Sequence, residues 1–119
     1  MIKFHTFNNK PKIAELTGKE CVIHSPDDFL DLIGNLGSQN CGILILNEEN
    51  LDPDFFDLKT KLAGEILQKC SNYHFRIAIV GDFTKYTSKS LHDFIYESNK
   101  GKLVSFSENL DSAMNKLLS

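Results

Sequence analysis

The chain has no tryptophan, only three prolines and a single arginine, Arg76, among its 13 basic residues. A domain that grips nucleic acid usually gathers several arginines on a basic face, because the guanidinium fork matches phosphates and base edges. With one arginine and a formal net charge of −3, no nucleic-acid partner is expected. Long apolar runs are missing as well. The longest purely aliphatic stretch is Ile43–Leu46, far short of the ~20 residues that cross a bilayer. The opening MIKFHTFNNK lacks the apolar segment of a signal peptide. A soluble, cytoplasmic protein without a membrane partner is the expectation. Cysteine is scarce: Cys21, Cys41 and Cys70 are odd in number, widely spaced and form no CxxC pair. Neither a disulfide framework nor a zinc site is suggested, and the thiols read as reduced, mostly buried residues. GxGxxG, a P-loop lysine and GxSxG are all absent, so no bound nucleotide, no cofactor and no serine nucleophile is expected.

What is present suffices for one domain. The 119 residues are 41 % apolar, with nine phenylalanines and three tyrosines, enough for a single core. Lys3–Phe7 and Lys12–Leu16 read as two arms of a hairpin around Asn8-Asn9-Lys10, with Pro11 suited to the start of an edge strand. Cys21–Ile23 is a short extended piece. Ser25-Pro26-Asp27-Asp28 carries a cap, a first-turn proline and an early acid, and Phe29, Leu32, Ile33 and Leu36 then share a helical face as far as Gly37. Gly42–Leu46 and Phe75–Val80 are continuous aliphatic runs. Such runs fit strands buried on both faces, hence central parallel ones. Asp52-Pro53-Asp54 reads as the start of a helix that runs to about Ser71, with Phe55, Leu58, Leu62, Ile66, Leu67 and Cys70 at helical spacing. Gly64 inside it predicts close packing against a neighbour. Thr87 or Ser88 opens a further helix that stops at Gly101. Lys102–Phe106 is a last strand, and Ser107 caps a final helix with Leu110, Met114, Leu117 and Leu118 inward. This order predicts an α/β fold: one domain over residues 1–119, an N-terminal antiparallel hairpin, then β/α units with a mainly parallel core and about four helices.

The segment FFDLKTKLAGEILQKCSNY, followed by AIVGDFTKYTSKSLHDFIYESNKG, resembles the bacterial family catalogued as domain of unknown function 4180. Phe55–Thr60, Gly64-Glu65, Gly81-Asp82-Phe83 and Phe94–Asn99 carry the resemblance, which covers nearly the whole chain. It implies no established activity. A looser likeness in element order is to the STAS fold of anti-sigma-factor antagonists and sulfate-transporter tails. That family's phosphorylatable Ser or Thr would fall within Glu48–Asp57, where this chain has neither. The STAS likeness therefore implies a sheet-and-helix arrangement without the phosphoswitch.

Two strand ends hold the polar residues that invite a functional reading. Asn47, Glu48 and Glu49 follow one central strand; Asp82, Lys85 and Tyr86 follow another. If the strands are neighbours, these groups converge where ligands collect in parallel α/β sheets. Together with Asp57 they form the expected interaction or ligand surface. Carboxylates with an Asn carbonyl suit Mg²⁺ or Ca²⁺, and a lysine suits an anion. The plainer reading is that they solvate strand ends and tie down loops. Glu48–Asp57 contains five acids and no base, which reads as an acidic docking patch or as helix-dipole complementarity. His5, His24, His74 and His92 show no i,i+4 metal spacing, so no metal and no catalytic histidine is expected, although a His–carboxylate pair across elements stays open. The favoured function is a non-catalytic regulatory or protein-interaction domain that binds a protein partner or itself. The alternative is a small-ligand or divalent-metal-binding domain, or an enzyme, using the same strand ends. A carboxylate held above its ordinary pKa in a pocket lined by Phe83 and Tyr86 would mark that alternative. A third reading, pure dimerisation, needs an exposed apolar face, for which the expected helix over 53–71, with both Phe55 and Phe56, is the best candidate.

Overall fold

Two aliphatic strands form the middle of the sheet, as a both-sides-buried environment demands. In the computed structural model, which describes all 119 residues, β3 (Ile43–Asn47) and β4 (Arg76–Val80) pair in parallel, with Leu44 opposite Ile77 and Leu46 opposite Ile79. β5 (Val104–Ser107) adds in parallel to β4, and β2 (Ile13–Leu16) in parallel to β3. β1 (Ile2–His5) closes the other edge antiparallel to β2. The strand order is β1-β2-β3-β4-β5. The hairpin is thus present, but β2 is internal, and Pro11 lies in the connecting loop rather than on an edge strand. Asn9 takes the left-handed φ of 61° that the turn needs.

Sequential strand order has a geometric consequence. Right-handed crossovers that always step the same way lay their helices on the same face. α1 (Pro26–Gly37), α2 (Leu62–Tyr73) and α3 (Lys89–Lys100) do so, and with the sheet they enclose a core of 22 buried residues that includes Phe29, Leu36, Phe55, Ile66 and Leu91. α4 (Leu110–Leu118) covers the opposite face alone. Ala113 and Leu117 pack there on Ile13, Ile43, Ile45 and Ala78. No connection changes face between β2 and β5, so the sheet has no switch point of the kind that opens a crevice in doubly wound folds. No helix is long and apolar enough to cross a membrane.

Several expected boundaries move. The helix expected from Pro53 begins only at Leu62. Before it, Pro53–Phe56 and Leu58–Thr60 form short 3₁₀ turns, separated by Asp57 in extended conformation and followed by Lys61 at φ 69°. Side chains cause this. Asp52 accepts the Asp54 N–H, Asp57 accepts the Lys59 N–H, and the Thr60 hydroxyl donates to the Asp54 carbonyl at 2.6 Å. Local side-chain bonds of this kind give the backbone an alternative to the helical ladder. The tight turns bury both Phe55 and Phe56, so neither offers the exposed apolar face for which the sequence makes this segment the best candidate. Gly64 is exposed, and a Cβ there would meet nothing within 4 Å, so close packing does not explain it. α1 runs through Gly37, and the left-handed residue that ends it is Asn40. Asn109, not Ser107, caps α4 by accepting the Ser112 N–H.

Candidate functional site at the carboxyl edge of the sheet

Because β3 and β4 are neighbours, the residues that follow them do meet. Glu48 is their hub. It is the one buried carboxylate in the chain, at 7 % exposure, and its two oxygens are filled from the β4 side. Oε1 accepts the Asp82 backbone N–H at 3.1 Å; Oε2 accepts the Tyr86 hydroxyl at 2.9 Å and pairs with the Lys85 ammonium at 2.9 Å. Tyr86 is stacked on Phe56, with ring centroids 5.0 Å apart, so the phenol is held at the carboxylate by packing as well as by its bond. Gly81 allows the approach: a Cβ at that position would lie 2.7 Å from Glu48 Oε1. A side chain there would force the Glu48 carboxylate to shift from its donors.

The electrostatics follow from these contacts. The Glu48 carboxylate beside it holds the Lys85 ammonium above its ordinary pKa, with Glu49 and Asp82 adding to the effect. Tyr86 is pushed well up, first by desolvation and then by donating to Glu48. Asp82 is held below the usual carboxylate range because its Oδ1 accepts both the hydroxyl and the N–H of Thr84, and Lys85 adds to this. The acid–base reading looks for a carboxylate held above that range; Asp82 moves the other way.

The remaining expected residues separate. Asn47 turns inward to the loop after β2, donating from Nδ2 to the Leu16 and Gly18 carbonyls. Its N–H is taken by Asn50 Oδ1 at 2.7 Å. Asn50 is 2 % exposed and also donates to Gly18 and Glu20. These two asparagines staple the β2 loop to the end of β3. Glu49 is exposed, and its side chain holds no hydrogen bond. Asp57 stands apart from the hub and caps the turn at Lys59. A shallow depression of about 330 Å³ lies over the rim, lined by Cys21, Glu48, Glu49, Leu51, Pro53, Phe56, Lys85 and Tyr86. Tyr86 lines it as expected; Phe83 instead packs edge-on against Phe106.

The His–carboxylate pairing across elements that the sequence left open is present at His5–Glu15 and His24–Asp52; the thiol beside the second is what the sequence reading missed. His5 Nε2 lies 2.8 Å from Glu15 across the hairpin, His74 takes the left-handed conformation that ends α2, and His92 bonds the Tyr86 carbonyl. His24 lies with Cys21 and Asp52. Their donor atoms all fall within 4.8 Å of one another. The assembly depends on a parallel bridge between Ile23 and Leu51, in which the Asn50 carbonyl accepts the Ile23 N–H and the Ile23 carbonyl accepts the Asp52 N–H. Asp52 is held low, first by the Asp54 N–H and then by His24; Cys21 is held high, first by desolvation and then by Asp52. The only local signal in the sequence is the Cys21-x-x-His24 spacing, because Asp52 joins from a distant segment.

With the site described, the comparisons with known proteins place the chain. The family model "Domain of unknown function (DUF4180)" matches residues 8–117, and the chain belongs to that family. No curated protein and no solved structure matches it.

Proposed function

We propose that this DUF4180 domain works by binding a protein partner rather than by catalysis, and that the partner docks on the carboxyl edge of the sheet. One observation carries the reading: the rim's single buried carboxylate, Glu48, spends both oxygens on Asp82, Lys85 and Tyr86. A general base or a metal ligand needs a free lone pair aimed at its target. Three of the four lone-pair positions of Glu48 are filled from the chain, and Asp82 Oδ1 accepts twice from Thr84, so the buried carboxylate between the two strand ends serves the fold first. The exposed charged side chains of the rim are Glu49, Asp54, Asp82 and Lys85, and Glu49 and Lys85 line a shallow depression with the apolar surface of Pro53 and Tyr86. A mixed surface with a surplus of negative charge suits a protein segment that brings basic side chains next to an apolar one.

The test reverses charge without touching the hub. Glu49→Lys/Asp54→Lys alters two exposed side chains that hold no hydrogen bonds, so the fold is retained. Affinity capture with wild type and this variant as baits should recover a protein with wild type only. Backbone amide shifts on adding the purified partner should then cluster at residues 49–54 and 82–86. An identical protein set from both baits, or shifts confined to other faces, would refute the reading. If the captured protein is the chain itself, sedimentation of the purified domain shows a mass that rises with concentration and falls in the variant.

A further inference from the structure

We infer that Cys21, His24 and Asp52 form a binding site for a divalent transition metal of the zinc type. The inference stands apart from the partner reading and uses none of the hub residues. The donor set is one thiol, one imidazole nitrogen and one carboxylate oxygen. Zn²⁺ and Co²⁺ accept such a mixture, whereas Mg²⁺ and Ca²⁺ want oxygen alone.

Geometry favours an ion over the two simpler readings. The Cys21 Sγ is 3.7 Å from His24 Nδ1, and Asp52 Oδ2 is 3.2 Å from the same nitrogen. A Cys–His–Asp catalytic relay places thiol and carboxylate on opposite ring nitrogens, so that the proton passes through the imidazole. Here both converge on Nδ1, and no relay exists. Hydrogen bonding alone holds the thiol weakly: with the ring N–H given to Asp52, Cys21 keeps only a 3.9 Å contact to the Ile23 carbonyl. A shared metal satisfies all three. With bonds of about 2.3 Å to sulfur and about 2.0–2.1 Å to nitrogen and oxygen, a tetrahedral ion sets its ligands about 3.3–3.6 Å apart. The two edges at Nδ1 already match. The Sγ-to-carboxylate edge, at most 4.8 Å, closes with a thiol movement of roughly an ångström, within reach of one side-chain torsion.

The surroundings fix the ligands in place. Asp52 Oδ1 is anchored by the Asp54 N–H at 2.9 Å, which leaves Oδ2 to face His24. The His24 backbone N–H donates to Asp28 Oδ2 at 2.9 Å, tying the histidine to the first turn of α1. The Ile23–Leu51 bridge holds the two segments in register. Three protein ligands leave one position for water or an incoming group. Cys21 also lines the rim depression, so an ion there adds positive charge to an acidic edge.

Cobalt substitution tests this directly. Titrating Co²⁺ into metal-free protein should give one ion per chain, with tetrahedral visible bands and a near-ultraviolet thiolate-to-cobalt charge-transfer band. Zn²⁺ should displace it. Cys21→Ser should abolish the charge-transfer band. His24→Ala and Asp52→Asn, the latter keeping an oxygen for the Asp54 N–H, should each weaken binding at least tenfold. Unchanged thermal melting of the metal-free variants should accompany these losses. No charge-transfer band in wild type, a band that survives in Cys21→Ser, or undiminished affinity in His24→Ala would each overturn the inference.

Discussion

Glu48 and Asp52 follow the same strand on the same rim, and the fold uses them in opposite ways. The Glu48 side chain is 8 % exposed and meets three donors from the β4 loop. Asp52 is 26 % exposed; one oxygen caps a turn and the other shares a histidine nitrogen with a thiol. A buried carboxylate is tolerated only when its lone pairs are filled, and filling them from the chain makes the group part of the fold. Asp52, about a quarter exposed and in a contact that its partner cannot fully satisfy, is the carboxylate on which the inferred metal site draws. Acidity alone, which groups these residues in the sequence, does not separate the two roles. The donors opposite them do.

The sharpest way to test that division is to remove the hub. Glu48→Ala leaves the Tyr86 hydroxyl and the Asp82 N–H without their acceptor and frees Lys85 into solvent. We expect a loss of about 3 kcal/mol in unfolding free energy, read as a lower urea midpoint. Because Lys85 is itself half-exposed, most of that loss should come from Tyr86 and Asp82. A variant as stable as wild type would place Glu48 with Asp52, as a group the fold does not need.

Gly81→Ala probes the same hub from below. Its new methyl collides with a Glu48 side chain that three bonds hold in place, at 2.7–2.9 Å from Oε1, Cδ and Cγ. A loss of about 1–2 kcal/mol is expected. In a Glu48→Ala background the same substitution should cost much less, since the colliding atoms are gone. Additive losses in that double-mutant cycle would mean that Gly81 serves some need of the backbone instead.

What could be read in advance follows the range of the interactions. Ile43–Leu46 and Phe75–Val80 were legible because a strand buried on both faces must be aliphatic throughout, and the helix at Pro26 because its cap is local: Ser25 accepts the Asp28 N–H. The meeting of Glu48 with Lys85 and Tyr86 was legible conditionally, since it needed only that the two strands be neighbours. The break at Lys61 was hidden, because helical spacing of apolar residues continues through it while Thr60 and Asp57 redirect the backbone. Asn50 drew no reading from its sequence position, yet burial makes it the staple of the β2 loop. The Cys21, His24 and Asp52 cluster was the least legible. It is created by a bridge between Ile23 and Leu51 that no local pattern announces.

The alkaline limb of stability carries a smaller effect. Folding raises the pKa of both Tyr86 and Lys85, so it favours their protonated forms. The stability they contribute is fully present below their ordinary values and is lost as pH rises through the raised ones. Urea midpoints should therefore fall above about pH 10. Tyr86→Phe keeps the stacking on Phe56 but removes one of the raised groups on this limb, to which Lys89 and the Cys21 and Cys70 thiols also belong, and its profile should be flatter there. A Tyr86→Phe profile parallel to wild type would show that the phenol adds nothing to the hub's alkaline sensitivity.

The smallest effect belongs to the other side of the comparison. Cys21 makes only a 3.9 Å contact from its thiol to the Ile23 carbonyl and the 3.7 Å contact to His24, neither strong enough to hold the fold together. Cys21→Ser should change metal-free stability by no more than about 0.5 kcal/mol. Thiol alkylation gives the matching readout in the folded wild type. Cys21, half-buried on the rim, should react first, while Cys41 and Cys70 wait for unfolding; both are buried, and burial pushes the Cys70 thiol up to about 12. Added Zn²⁺ should slow the labelling of Cys21 and leave the other two unchanged. A Cys21→Ser chain that lost several kcal/mol without metal would make this thiol structural, and the contrast between a filled hub and an open cluster would fail at its weaker end.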